Sequence, residues 1–266
     1  FLNGKHIATG TGTQPVSFET GRAGQTMQVT VVVTVNGTAH KENLTLTPED
    51  VALAVEPLST APPFYQGIPT IATEGSVRLA AVPDFRTPGG KIIRAAALSY
   101  QWKIGNRTLL RQSGVGKDAA IVPAPLSYRD SVVTVLVQDQ GGSLIASRSV
   151  TLSTVAPVVL IYKKDPLMGI LYDHALSGNQ SISGVETSFT AVPYGFSTSN
   201  SPNIVWTLGN STAQTGDTIT LRPKGKGTGS ASLSVSANNS TAYESAAAGI
   251  KILFGSASGG FGLFGL

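Results

Sequence analysis

One phrase occurs twice in this chain, and its ending occurs a third time. Tyr100-Gln101-Trp102-Lys103-Ile104-Gly105-Asn106 returns as Ile204-Val205-Trp206-Thr207-Leu208-Gly209-Asn210, and the opening Phe1-Leu2-Asn3-Gly4 matches the part that follows the tryptophan. Internal repetition constrains architecture before any local propensity does, because each copy has to bury the same face in the same way. The copies also align outside the tryptophan phrase. Glu56-Pro57-Leu58 corresponds to Asp165-Pro166-Leu167, and the run Ser76 to Pro83 corresponds to Glu186 to Pro193. Each run leads through a loop, Asp84-Phe85 or Tyr194-Gly195-Phe196, into the tryptophan strand.

An alternating segment follows in every copy. Val29, Val31, Val33 and Val35 are separated by mostly polar residues in the first, and Val133, Val135 and Val137 in the second. In the third, Ala231, Leu233, Val235 and Ala237 alternate with serines. Period two over seven or more residues predicts a strand with one buried face. Asn36-Gly37, Gln140-Gly141-Gly142 and Asn238-Asn239 read as turns, and Leu44-Thr45-Leu46, Val150-Thr151-Leu152 and Ile250-Lys251-Ile252 as closing strands. The one candidate for helix is a single turn over Pro48-Glu49-Asp50-Val51-Ala52-Leu53. Short strands with Gly, Pro and Asn punctuation predict an all-β chain of tandem β-sandwich modules.

The order of these segments around Tyr-x-Trp-x-Ile-Gly-Asn resembles PKD and related immunoglobulin-like repeats, over about residues 70–155 and 180–254. That resemblance implies that Trp102 and Trp206 fill the space between two sheets. It departs from the family pattern where Asn106 and Asn210 replace an acidic residue. The Pro-Leu linkers are also similar to those of exported repeat proteins of small-genome bacteria, some encoded beside pilus genes. The implied roles are stalks, spacers, adhesins or filament subunits.

The alignment predicts modules at 56–156 and 157–254, with residues 1–55 as the C-terminal part of a further module and 255–266 as a Gly-rich hydrophobic tail. Trp102 precedes Val133 by 31 residues, and the same interval before Val31 falls immediately ahead of Phe1. The expectation is a precursor with tryptophan there and more strands upstream.

Composition narrows the chemistry. Charged residues make up 13% of the chain, against roughly 25% in an average soluble domain. The net charge of +4 reflects few acids rather than many bases, and no Lys/Arg stripe interleaved with aromatics suggests nucleic acid. There is no cysteine, hence no disulfide or thiolate chemistry. His6, His40 and His174 are scattered without metal-ligand spacing, and Ser113-Gly114-Val115-Gly116-Lys117-Asp118 lacks the first glycine and the hydroxyl of a phosphate loop. A calcium junction would have only Glu56, or Asp165 with Asp173 beside two lysines. Neither an enzyme nor a cofactor is expected, and no apolar run is long enough to span a bilayer.

Seven of the ten asparagines begin an Asn-x-Ser/Thr sequon: Asn36, Asn43, Asn106, Asn179, Asn210, Asn238 and Asn239. They are candidate glycosylation sites if the chain is exported, each requiring a surface position. Phe64-Tyr65, Phe85, Tyr194 and Phe196 could stack on sugar rings, but their recurrence at matching places in both copies favours packing. The tail carries Phe261, Leu263, Phe264 and Leu266 behind a Gly/Ser spacer, as candidate contacts to another subunit. The sequence therefore points to an extracellular or cell-surface structural protein. It would self-associate as a homopolymer or bind other surface proteins, and a glycan-binding adhesin is the alternative.

Overall fold

The structure, a computed structural model of the 266-residue chain, describes residues 1–11, 14–23, 25–87, 89–182, 186–223 and 227–255. It divides into two compact units. One comprises Phe1–Val55, Arg78–Ile121 and Ser131–Thr151, and the other Glu56–Val77, Val122–Asp130 and Leu152–Leu266.

The chain opens with a two-stranded hairpin of β1 (Met27–Val35) and β2 (Thr38–Leu46), in register from Met27 opposite Leu46 to Val35 opposite Thr38. Asn36 and Gly37 close it at φ 51° and 81°. Both central residues of a type I′ turn need positive φ, which Asn-Gly adopts at the least cost. Then come β3 (Asp50–Leu58), β4 (Ser76–Asp84), β5 (Ser99–Ile104), β6 (Arg107–Thr108), β7 (Gly114–Val115), β8 (Ala119–Pro123), β9 (Asp130–Gln138) and β10 (Ile145–Ser153). They form one sheet in the order β3-β4-β8 and another in the order β10-β9-β5-β6, with β7 also on β5. Trp102 on β5 is fully buried, as are Val133, Val135 and Val137 on β9 and Leu79 on β4.

The last nine strands are β11 (Val158–Asp165), β12 (Gly169–Ile170), β13 (Asn179–Ile182), β14 (Thr187–Tyr194), β15 (Asn203–Leu208), β16 (Ser211–Thr215), β17 (Thr218–Leu221), β18 (Gly229–Asn239) and β19 (Glu244–Phe254). Their sheets run β12-β11-β14-β17 and β13-β19-β18-β15-β16, and β13 joins β19 in parallel. One core cluster joins them: Val159, Ile161, Phe189, Ala191 and Ile219 from the first sheet meet Trp206, Leu233, Val235 and Ile250 from the second. This partition of strands between two packed sheets, with the tryptophan on the third main strand, is the immunoglobulin arrangement. The fold is all-β, and its sandwiches are immunoglobulin-like.

The three copies share a register. Ile104 lies opposite Val133, Leu208 opposite Leu233, and Leu2 bridges Val29. The next N–H donates across the ladder in each case, Gly105 to Val132, Gly209 to Ser232 and Asn3 to Gln28, all at 2.8 Å.

Two local expectations are corrected. Pro48 to Leu53 gives no helical turn; from Asp50 it is strand β3, with Val51 buried and Ala52 exposed. The alternation of Val51, Leu53 and Val55 overrides the helix-start look of Pro-Glu-Asp, since burial of one face outweighs local propensity. Nor do Asn238 and Asn239 form a turn. They stay in β18 opposite Ser245 and Glu244, and the chain reverses after them.

Candidate functional site

The tryptophans are anchored as well as buried. Trp206 Nε1 donates to the Gly216 carbonyl and Trp102 Nε1 to the Lys117 carbonyl, both at 3.0 Å. In each copy the residue after that acceptor lends its own carbonyl to the opposite sheet: Asp217 to Ala191 N–H and Asp118 to Ala81 N–H, both at 2.7 Å. The stretch that superficially resembled a phosphate loop is therefore the acceptor turn of the tryptophan.

The hairpin stands apart from these finished cores. Val31, Val33 and Val35 are each 52% exposed and Leu44 is 57% exposed. By register, Val31 and Val33 correspond to Val135 and Val137 and to Val235 and Ala237, all at most 1% exposed. Leu44, opposite Val29, corresponds to Ile250, opposite Leu233 and 4% exposed. Val31 and Val33, whose equivalents are core in two copies, are thus bare in the third. The outer edge of β1 takes backbone bonds from Phe1 and Asn3 near its start, and among the described residues it gains no strand partner beyond Thr30.

A second feature is an open aromatic cleft of about 360 Å³. Leu160 and Tyr162 lie on β11, facing away from the core residues Val159 and Ile161. Tyr194 ends β14 opposite Val158 and so joins the same outer face. The loop Pro62 to Gln66 lies over that face. Its approach is pinned by Thr60, whose N–H donates to the Phe196 carbonyl and whose Oγ1 accepts from Phe196 N–H. Tyr65 and Tyr194 have ring centroids 5.3 Å apart, Tyr162 and Tyr172 5.2 Å, and Phe64 and Tyr172 6.5 Å. A hydrogen bond with Tyr65, then burial, pushes the Tyr194 phenol above its ordinary value, and burial does the same to Tyr162. Among the described residues, no Asp, Glu, Lys, Arg or His lines the cleft.

Of the sequence-proposed aromatics, the structure brings Phe64, Tyr65 and Tyr194 together. Phe85 and Phe196 are fully buried and offer no face to a ligand. Tyr162 and Tyr172 were missed; their only signal was the outward parity of Tyr162 in β11. Six sequon asparagines, Asn36, Asn43, Asn106, Asn179, Asn210 and Asn238, are exposed. Asn239 is corrected. Only 4% of it is exposed, and its Nδ2 donates to Glu244 Oε2 at 3.0 Å and to the Asn200 carbonyl at 3.3 Å, so its amide is held inside the fold. Phe261, Leu263, Phe264 and Leu266 lie outside the described residues. Asp165 caps a turn, accepting the N–H groups of Leu167 and Met168, which lowers its pKa.

Glu244 is buried and accepts Ser197 N–H on both oxygens at 2.9 and 3.1 Å. Burial raises its pKa, more than these bonds lower it. The folded chain therefore holds this proton more tightly than the unfolded chain. The resulting stability is full below the ordinary value of 4.5 and is lost as pH rises through the raised folded value. Relative to Glu244→Gln, the wild-type melting temperature is expected to fall as pH increases above about 4.5. Parallel melts of the two proteins across pH check this, and a flat or rising difference refutes it.

No family model and no curated protein matches this chain. Among solved structures it is similar to the three N-terminal domains of the highly immunogenic outer capsid protein of bacteriophage RB49. That match has 14% identity and a TM-score of 0.38, over 78% of this chain and 59% of that one. It is also similar to the Ig1–Ig3 ectodomain of mouse nectin-like molecule 4, at 15% identity and TM-score 0.28, over 79% and 66%. The fibronectin(III)-like modules of CbhA from Clostridium thermocellum match at 10% identity and TM-score 0.26, over 77% and 95%. This chain spans less than two thirds of the matched phage and mouse chains. The immunoglobulin-like assignment rests on the chain's own strand order, sheet partition and buried tryptophans.

Proposed function

We propose that this chain is a non-enzymatic extracellular structural protein, a protomer of a filament, pilus-like fibre or surface layer. The observation that carries the reading is that, among the described residues, no strand covers Val31 and Val33 of β1, whose register-equivalents Val135, Val137, Val235 and Ala237 are buried. A large exposed apolar sheet face next to an open edge is a template for another chain. The occupant is the tail of a second copy. Phe261 and Leu263, or Phe264 and Leu266, stand two residues apart, the spacing at which a strand places side chains on one face. A tail that docks on the next copy's hairpin makes a head-to-tail contact, which grows an open polymer unless it closes into a ring.

Sedimentation and electron microscopy of the full chain, beside a variant lacking Phe261 to Leu266, test this. The full chain is expected to form polymers that lengthen with concentration, and the variant is not. A full chain that stays monomeric at high concentration, or strands ahead of Phe1 that cover this face in the precursor, overturns the reading. A cell-surface adhesin is the second reading, favoured by the aromatic cleft.

A further inference from the structure

The turn that presents Phe64 is unusual in a way that folding alone does not account for. Tyr65 N–H donates to the Pro62 carbonyl at 3.2 Å, with Pro63 in the second position and Phe64 in the third at φ 62°. That third position, with positive φ, is normally given to glycine or asparagine. A bulky side chain there costs roughly 1 kcal/mol. The ring does little packing, since Phe64 is 90% exposed and meets Tyr172 only edge-on, with centroids 6.5 Å apart. Backbone strain that displays an apolar ring to solvent, on the rim of a cleft, is an observation from which function can be argued.

The same device occurs twice more in the same unit. Tyr128 has φ 62° and is fully exposed, and Tyr243 has φ 50° and is 84% exposed. Of these three, Phe64 lines the cleft described above together with Tyr65, Tyr162, Tyr172 and Tyr194.

We propose that the cleft between the Pro62 to Gln66 loop and the outer face of β11 and β14 binds a neutral glycan, with Phe64 as the stacking platform. Charge complementarity selects this ligand. Among the described residues the lining offers aromatic faces, tyrosine hydroxyls and the Gln66 amide, with no ionised group to pair with a phosphate, a sialic acid or a basic peptide. A pyranose matches it, having an apolar C–H face for a ring and hydroxyls around its edge for the phenols. A proline-rich peptide fits less well. A proline needs a slot between near-parallel rings, whereas the contacting pairs here are tilted by 58° to 71° and present faces instead of slots. The volume of about 360 Å³ lies within the range of small-ligand pockets. This deepens the adhesin reading and is independent of polymer growth, because a monomer binds equally well.

Phe64→Gly makes a clean test. It removes the ring and also the left-handed strain, and the strain relief of roughly 1 kcal/mol nearly cancels the added freedom of the unfolded chain. The melting temperature is therefore expected to stay within a few degrees. The probes are an array of neutral gluco-, manno-, galacto- and N-acetylglucosamine oligosaccharides, a sialylated oligosaccharide and a proline-rich decapeptide. The full chain is expected to bind at least one neutral oligosaccharide, Phe64→Gly to weaken it by about tenfold or more, and Tyr128→Gly to leave it unchanged. Equal loss in both variants, or unchanged binding in Phe64→Gly, overturns the platform. Binding of the decapeptide alone, or of the sialylated oligosaccharide alone, overturns the neutral glycan while leaving an adhesin. Binding of none of the probes overturns both.

Discussion

Trp206→Ala is expected to lower stability by about 3–5 kcal/mol, the range for removing a large buried aromatic ring. The indole is fully buried in a cluster fed by both sheets, so no surface loop can collapse into the space it leaves. The substitution also strips the Gly216 carbonyl of its 3.0 Å donor, adding roughly 1 kcal/mol if that oxygen stays dry. Against a typical total of about 5–15 kcal/mol, the loss brings this sandwich near its unfolding threshold. Trp206→Phe separates the two contributions. It keeps most of the apolar volume, lacks the N–H, and is expected to cost less than half as much. Urea denaturation followed by far-ultraviolet circular dichroism measures both. In both variants Trp102 is the only remaining indole, so its emission reports its own surroundings. A loss below about 1 kcal/mol for Trp206→Ala would mean that the ring is not the pin of the core.

The architecture was legible in the sequence where one physical rule acts over many residues. Burial of one strand face imposes period two, so Val133 to Val137 and Leu233 to Ala237 announced their strands and parity. Asn36-Gly37 announced its turn because few other pairs tolerate two positive φ values. The repeat supplied the equivalences that make the bare hairpin recognisable. Legibility failed where the deciding interaction is distant in sequence. Glu244 is buried because Ser197 and Asn239 present donors to it, and nothing next to Glu244 reports that. Reading Asn238-Asn239 as a turn followed propensity, yet the ladder continued to Asn239 opposite Glu244. The cleft was half legible. Phe64, Tyr65 and Tyr194 were visible as aromatics near loops, but Tyr162 joins them only through the pairing of β11 with β14. Phe85 and Phe196 had the same local look and turned out to be core.

Val31→Glu combined with Val33→Glu is expected to abolish polymer formation while leaving the buried cores untouched. Magnitudes indicate what the joint must consist of. Fully burying a valine contributes about 1.5–3 kcal/mol, so three that are already half covered supply only a few kcal/mol together. Association costs about 4–15 kcal/mol in lost freedom, so the valine face alone does not hold two copies together. The balance has to come from strand pairing along the open edge of β1 and from the tail's own Phe and Leu side chains. Two carboxylates in the middle of that face leave unpaired charge to be buried, at a cost of several kcal/mol each, more than the joint has in reserve. Val31 and Val33 are exposed in the isolated chain, so the melting temperature of the unassembled protein should change little. Val32→Glu is the control: it adds one carboxylate to the same strand but on the opposite face. Pelleting assays at a series of concentrations compare the proteins. Wild type and Val32→Glu are expected in the pellet, and the double variant in the supernatant. Polymers of unchanged length from the double variant would move the joint off this hairpin.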